Sequence, residues 1–130
     1  MANAFMPTVF IADDDNLLID FLRFRLERKG YEVRSSHDGQ EALDQILSTP
    51  PDILLLDYQM PVRSAYEIIE ILKQSPQCQH LPILVLASQW REKEVIDALE
   101  LGITDYIVKP FSPQELLFRI DRALKQGAAS

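Results

Sequence analysis

Two hydrophobic periods are interleaved along this chain: short runs of Val, Ile and Leu alternate with longer segments whose apolar residues recur every three or four positions. The alternation repeats five times, and it leaves few architectures open. The runs at Thr8 to Ala12, Glu32 to Ser35, Ile53 to Leu56, Ile83 to Ala87 and Tyr106 to Val108 read as strands. The first, third and fourth are almost wholly apolar, as strands covered on both faces must be. The intervening stripes read as helices: Leu18, Phe21, Leu22 and Leu26; Leu43, Ile46 and Leu47; Ile68, Ile69 and Leu72; Val95, Ala98 and Leu99; Leu116, Ile120 and Leu124. Ser64 with Glu67 and Ser112 with Glu115 fit capping boxes, and Pro113 falls at a first helical position. Gly30 and Gly102 fall where a left-handed C-terminal cap is needed. The expected fold class is therefore α/β: an open five-stranded parallel sheet with helices on both faces, joined by right-handed crossovers, in the order 2-1-3-4-5.

With 130 residues, 47% of them hydrophobic, the chain can bury a core without metal or disulfide staples. Residues 1–125 are expected to form one domain, and 126–130 a flexible tail or the start of a linker. The single cysteine, Cys78, excludes an intramolecular disulfide and points to a cytoplasmic protein. No apolar run approaches the ~20 residues of a membrane helix, and Met1 to Pro7 lacks the charged start of a signal peptide. The formal net charge of -7 disfavours direct nucleic-acid binding and favours a cation or a basic partner.

In the expected strand order the sheet reverses between its first and third strands, and ligands bind at such a point outside the carboxyl ends. Asp13, Asp14 and Asp15 follow the first strand there, Asp57 the third, Ala87 and Ser88 end the fourth, and Lys109 with Pro110 follows the fifth. Asp15, ahead of Asn16, reads as a helix cap. Asp13, Asp14 and Asp57 instead converge. Two like charges about 4 Å apart repel by roughly 1 kcal/mol in water and roughly 4 kcal/mol at an effective dielectric near 20. Such a cluster calls for a cation, and carboxylates beside loop carbonyls and water suit Mg²⁺, which also accepts phosphate oxygens. A lysine ammonium opposite would complete a phosphate clamp.

Three stretches, Val9 to Asp15, Pro51 to Pro61 and Asp105 to Phe111, closely resemble in order and register the receiver domains of two-component response regulators, and the resemblance covers essentially the whole chain. It implies a flavodoxin-like fold of the chemotaxis-receiver type, with Asp57 as phosphoacceptor. It further implies Mg²⁺ held by Asp13, Asp14, Asp57 and the backbone carbonyl of Gln59, with Lys109 paired to the phosphoryl oxygens. Tyr106 matches the switch aromatic, and the Lys109–Pro110 bond is expected to be cis. A histidine kinase or phosphotransfer protein would supply the phosphoryl group, and a downstream effector domain or protein would read the surface of the fourth helix, fifth strand and fifth helix. Asp97, Asp105, Glu115 and Arg119 on that surface partly resemble a homodimer face. Such a domain catalyses only its own phosphorylation and dephosphorylation.

The chain departs from the family pattern at two places. Ala87 stands where Thr or Ser is usual, with Ser88 one residue on, and Ala65 stands where a glycine is usual. Strand alternation points Ser88 away from the face of residue 87. The first departure suggests an alternative reading, a degenerate receiver acting as a constitutive docking module. A phosphohydrolase resembling the haloacid dehalogenase group would need a second aspartate where Gln59 stands, and a flavodoxin-like cofactor carrier would need a hydroxyl-rich loop where the three aspartates stand. Trp90 is expected to begin the fourth helix as an exposed aromatic, while His37, His80 and Cys78 read as ordinary loop residues.

Overall fold

The computed structural model describes residues 6–129, with side chains to position 126. Five strands, β1 (Thr8–Ala12), β2 (Glu32–Ser36), β3 (Ile53–Asp57), β4 (Ile83–Ala87) and β5 (Asp105–Val108), alternate with five helices, α1 (Asn16–Arg28), α2 (Gly39–Ser48), α3 (Ala65–Gln74), α4 (Glu92–Glu100) and α5 (Pro113–Ala129). All pairings are parallel and the order is β2-β1-β3-β4-β5, the expected one. Alternate residues of the central strands enter two separate cores. Val9, Ile11, Ile53, Leu55, Leu84 and Leu86 pack under α1 and α5, whereas Phe10, Leu54, Leu56, Ile83 and Val85 pack under α2, α3 and α4.

Side-chain burial corrects several expectations. On α1 the buried stripe is Ile19, Leu22 and Leu26; Phe21 lies outside it and is exposed, because the helix rests on the sheet along a narrower face than the apolar sequence offers. Leu99 likewise points outward from α4, leaving Val95 and Ala98 as its buried residues. Cys78 lies in a loop but is wholly buried in the α2–α4 core, so it behaves as a small hydrophobe. Trp90 precedes α4 rather than opening it, since Arg91 is the cap residue. α5 continues to Ala129, so most of the segment 126–130 is helical, and Ser130, like residues 1–5, lies outside the described residues.

The helix signals resolve in detail. Ser64 and Glu67 form a complete capping box at α3. At α5 only half forms: the Glu115 N–H donates to Ser112 Oγ at 3.4 Å, while the Glu115 carboxylate turns to Arg119 at 2.7 Å. Gly30 and Gly102 have φ of 93° and 101°, as left-handed caps demand. Gly39 is needed for a different reason. Its N–H donates to the Pro61 carbonyl at 2.9 Å, which docks the β3–α3 loop on the start of α2. That loop turns at Val62, whose φ is 75°, with the Arg63 N–H reaching back to the Pro61 carbonyl at 2.9 Å in the strained form of the γ-turn. A Cβ on Gly39 would stand 2.6 Å from the Arg63 carbonyl oxygen and 2.8 Å from its Cβ, so the loop and α2 could not both keep their places. Gly39→Ala should therefore destabilise the fold by ~1–3 kcal/mol through overpacking. At Gly30 an added Cβ meets nothing within 4 Å, so Gly30→Ala should cost only the backbone penalty, ~1 kcal/mol. Urea unfolding of both variants checks this, and a Gly39→Ala loss no larger than that of Gly30→Ala would contradict the packing argument.

Candidate functional site: a carboxylate pole

Parallel register builds the site. Ala12 on β1 lies beside Leu56 on β3, so the next residues, Asp13 and Asp57, emerge together at the carboxyl edge. Ala87 on β4 lies beside Val108 on β5, which brings Lys109 to the same edge from the other side. The β3 strand runs one residue further than expected, so Asp57 is its last member and is 7% exposed. Asp13 is wholly buried and Asp14 is exposed.

The three aspartates each offer a carboxylate oxygen, and these oxygens lie within 4.8 Å of one another. One cation faces them: Lys109 Nζ lies 2.9 Å from Asp13 Oδ2 and 3.6 Å from Asp57 Oδ1. The other Asp13 oxygen accepts the Asp15 N–H at 2.9 Å, and Asp57 Oδ1 accepts the Gln59 N–H at 3.3 Å. Asp15 itself caps α1, accepting the N–H groups of Leu17 and Leu18, and so is spent on the helix. Burial pushes the Asp57 carboxyl up to about 6, and the neighbouring Asp13 charge adds to the rise against the pull of Lys109. Burial alone would lower the Lys109 ammonium, yet its hydrogen bond to Asp13 and the charges of Asp57 and Asp13 outweigh that, and the net shift is upward. One ammonium cannot balance three carboxylates. A hard divalent cation with oxygen ligands fits the donor set, since carboxylates at this spacing can share an ion that keeps part of its water shell.

Around this pole Ala87 is buried and Ser88 exposed, as strand alternation requires. Ser88 lines a cleft of about 90 Å³ with Tyr58, Gln59 and Gln89. Tyr106 is 5% exposed, and its hydroxyl is the single buried side-chain polar atom without a partner among the described residues. Trp90 covers it edge-to-face with ring centroids 5.8 Å apart. Lys109–Pro110 is cis. His37 and His80 are exposed, and Ala65 is buried at the capped start of α3.

One part of the neighbourhood was not legible beforehand. Tyr58, next to Asp57, packs edge-to-face on Tyr66 of α3 at 5.6 Å, and the Tyr66 hydroxyl donates to the Glu94 backbone carbonyl of α4 at 2.9 Å. Burial pushes both phenols up, so they stay protonated donors. Tyr58 was visible inside the aspartate motif, but its partners lie 8 and 36 residues further on and share no sequence pattern with it.

The parallel sheet of this order carries three acids and a lysine at its reversal point, and residues 9–121 match the family model for the response regulator receiver domain. The chain belongs to that family. It is 36% identical over 122 residues to the phosphate regulon transcriptional regulatory protein PhoB of Rhizobium meliloti, covering 94% of this chain and 54% of that protein, so it spans about half the length of the relative. Among solved structures it resembles a protein of Chloroflexus aurantiacus J-10-fl described as a response regulator, at 38% identity and a TM-score of 0.87, covering 93% of this chain and 99% of that one. It also resembles the chemotaxis response regulator CheY4 of Vibrio cholerae, at 29% identity and a TM-score of 0.86, covering 92% and 99%. No helix among the described residues is long and apolar enough to cross a membrane.

The raised Asp57 pKa fixes the sign of a pH effect. The folded protein holds this proton more tightly than the unfolded chain, so the associated stability is full below the ordinary value of 3.8 and is lost as the pH rises to about 6. In chelator-treated protein, wild type should lose stability across that window relative to Asp57→Asn. At pH 7 the Asn variant should melt higher by about 3 °C or more. Calorimetry at pH 4 and pH 7 reads the difference, and parallel pH profiles for the two proteins would exclude the electrostatic account.

Proposed function

We propose that this receiver is a phosphoacceptor switch in which Asp57 is phosphorylated in a Mg²⁺-dependent reaction by a histidine kinase or phosphotransfer protein. The supporting observation is the convergence of Asp13, Asp14 and Asp57 within 4.8 Å, with Lys109 reaching two of them. An Asp57 oxygen attacks phosphorus of the donor, the bond from phosphorus to the donor's leaving atom breaks with its electron pair, and an aspartyl phosphate forms. The Lys109 ammonium, already within 3.6 Å of the nucleophile, turns from carboxylate to phosphoryl oxygen as negative charge is transferred. Asp13, Asp14, Asp57 and the Gln59 carbonyl would hold the Mg²⁺. When bound, the metal neutralises charge on the phosphoryl oxygens. The same pole admits water for hydrolysis, so the domain acts on itself rather than turning over a separate substrate.

The output surface is proposed to be α4, β5 and α5, which a downstream effector domain or a second copy would read. Arg119 bonds Asp105 at 3.0 Å and Glu115 at 2.7 Å, and Lys93 bonds Asp97 at 3.0 Å, so both signs are displayed there and can re-pair across a two-fold axis. Phosphoramidate with Mg²⁺ should label wild type and leave Asp57→Asn unlabelled. In the ultracentrifuge the labelled protein should sediment as a dimer, while the Asn variant stays monomeric. Labelling of the Asn variant would remove Asp57 as acceptor, and a labelled monomer at high concentration would remove the homodimer.

Ala87 favours a second reading of how the switch behaves. With no hydroxyl at position 87 and that of Ser88 turned outward, phosphorylation loses one hydrogen bond to a charged group, worth about 1.5–3 kcal/mol of differential stabilisation. Tyr106 is buried under Trp90, and with no side chain beyond a methyl at position 87 to couple it to the carboxylate pole, this supports a domain that rests partly in its active arrangement and docks its partner constitutively. Ala87→Thr should restore coupling. NMR shifts of Tyr106 and α4 should change little with beryllofluoride in wild type and substantially in the Thr variant. A full two-state change in wild type that threonine does not enlarge would defeat this reading.

A further inference from the structure

The β3–α3 loop, residues 58–64, carries a turn that its own sequence does not favour. Val62 holds φ at 75°, a region that a β-branched residue enters only at a steric cost, yet its side chain is 76% exposed and gains little packing there. A residue keeps such a conformation only where its surroundings over-determine it. Here the surroundings are its two neighbours and the start of α2. The Pro61 carbonyl accepts two N–H groups at 2.9 Å, one from Gly39 and one from Arg63. Arg63 then reaches back to α2 with its side chain: Nε donates to Gln40 Oε1 at 2.7 Å, and Gln40 Nε2 donates to Asp44 Oδ1 at 2.9 Å, one turn further along the helix. The Arg63–Gln40 bond is partly buried, so water competes with it less than at an open surface.

The rest of the loop is anchored as well. The Tyr58 N–H donates to the Leu86 carbonyl at 2.8 Å, Met60 is buried in the core beneath α2 and α3, and Ser64 closes the capping box of α3. Gln59 lies between these anchors. A backbone carbonyl cannot be aimed by a rotamer of its own, so its direction is set by whatever holds the residues on either side. If Val62 relaxed to a negative φ, the Pro61 carbonyl would turn away from Gly39, and the segment after Gln59 would lose its fixed end.

Given the Mg²⁺ site proposed for Asp13, Asp14, Asp57 and Gln59, we propose that Arg63, Gln40 and Asp44 are positioning residues for the divalent cation. Their relay clamps the strained turn at Val62 against α2 and so holds the Gln59 peptide in one orientation ahead of metal binding. The cost of ordering the loop then falls on folding rather than on uptake of the ion. A helix that supplies none of the acids thereby sets the affinity of the site. A purely electrostatic role for Arg63 has the opposite sign, because removing a cation from the neighbourhood of a carboxylate pole strengthens binding of a divalent ion.

Isothermal titration of Mg²⁺ into chelator-treated protein, with amide exchange on the same samples, tests the clamp. Arg63→Ala and Gln40→Ala should each weaken Mg²⁺ binding by about tenfold, and the double variant by no more than either, because both cut one link. Val62→Gly in the Arg63→Ala background should restore the affinity to within about twofold of wild type, since glycine holds a positive φ without a clamp. In metal-free protein, exchange of the Gly39 N–H should quicken in Arg63→Ala and slow again when Val62→Gly is added. A general loosening of the fold would not be repaired by a glycine, which adds freedom to the chain. An Arg63→Ala protein that binds Mg²⁺ as well as or better than wild type, a loss that Val62→Gly fails to repair, or unaltered Gly39 exchange overturns the proposal while the metal site stands. Wild type that takes up no Mg²⁺ overturns the metal site and the clamp together.

Discussion

The ammonium of Lys109 holds together a pole that would otherwise repel itself. Asp13 and Asp57 leave adjacent strands at the same level, so the parallel register that builds the core also forces two buried carboxylates side by side. Lys109, from the far side of β4, bonds the more deeply buried of them and lies within 4 Å of the other. Balance is incomplete, and Asp57 shows it by holding its proton to about 6. A site in this condition favours whatever brings positive charge. Stability is given up at one edge of the sheet, where two buried carboxylates share one ammonium.

The rest of the molecule supplies rigidity around that edge. Gly39 lets the β3–α3 loop sit hard against α2, so Gln59 follows Asp57 at a fixed distance. The Tyr58–Tyr66 pair and the Tyr66 bond to the Glu94 carbonyl tie the residue beside Asp57 to α3 and to the first turn of α4. Tyr106 and Trp90 pack on the other side of that turn. The buried, unpartnered Tyr106 hydroxyl is the one place where this packing leaves a polar group unsatisfied, at a cost of about 1–3 kcal/mol.

Charge separates the chain's surfaces by role. The carboxylate pole suits a cation, the α4–β5–α5 face displays both signs in pairs, and the α1–α5 flank is cationic and aromatic. A net charge of -7 gives no hint of that division, because it sums surfaces that face in different directions.

Sequence by itself determined the succession of strands and helices and the parallel sheet, because the two hydrophobic periods are local, and the order of the strands was an expectation that the pairings bear out. It also placed Asp13, Asp14, Asp57 and Lys109 at one edge, since all four follow apolar runs whose ends a parallel sheet must align. The burial of Cys78, the outward turn of Phe21 and Leu99, the wedge of Tyr58 on Tyr66 and the cationic groove between α1 and α5 were decided only in three dimensions. An apolar residue on a helix can face the sheet or water, and a loop cysteine can point in or out. The choice belongs to packing between elements distant in sequence, where neither periodicity nor spacing carries information.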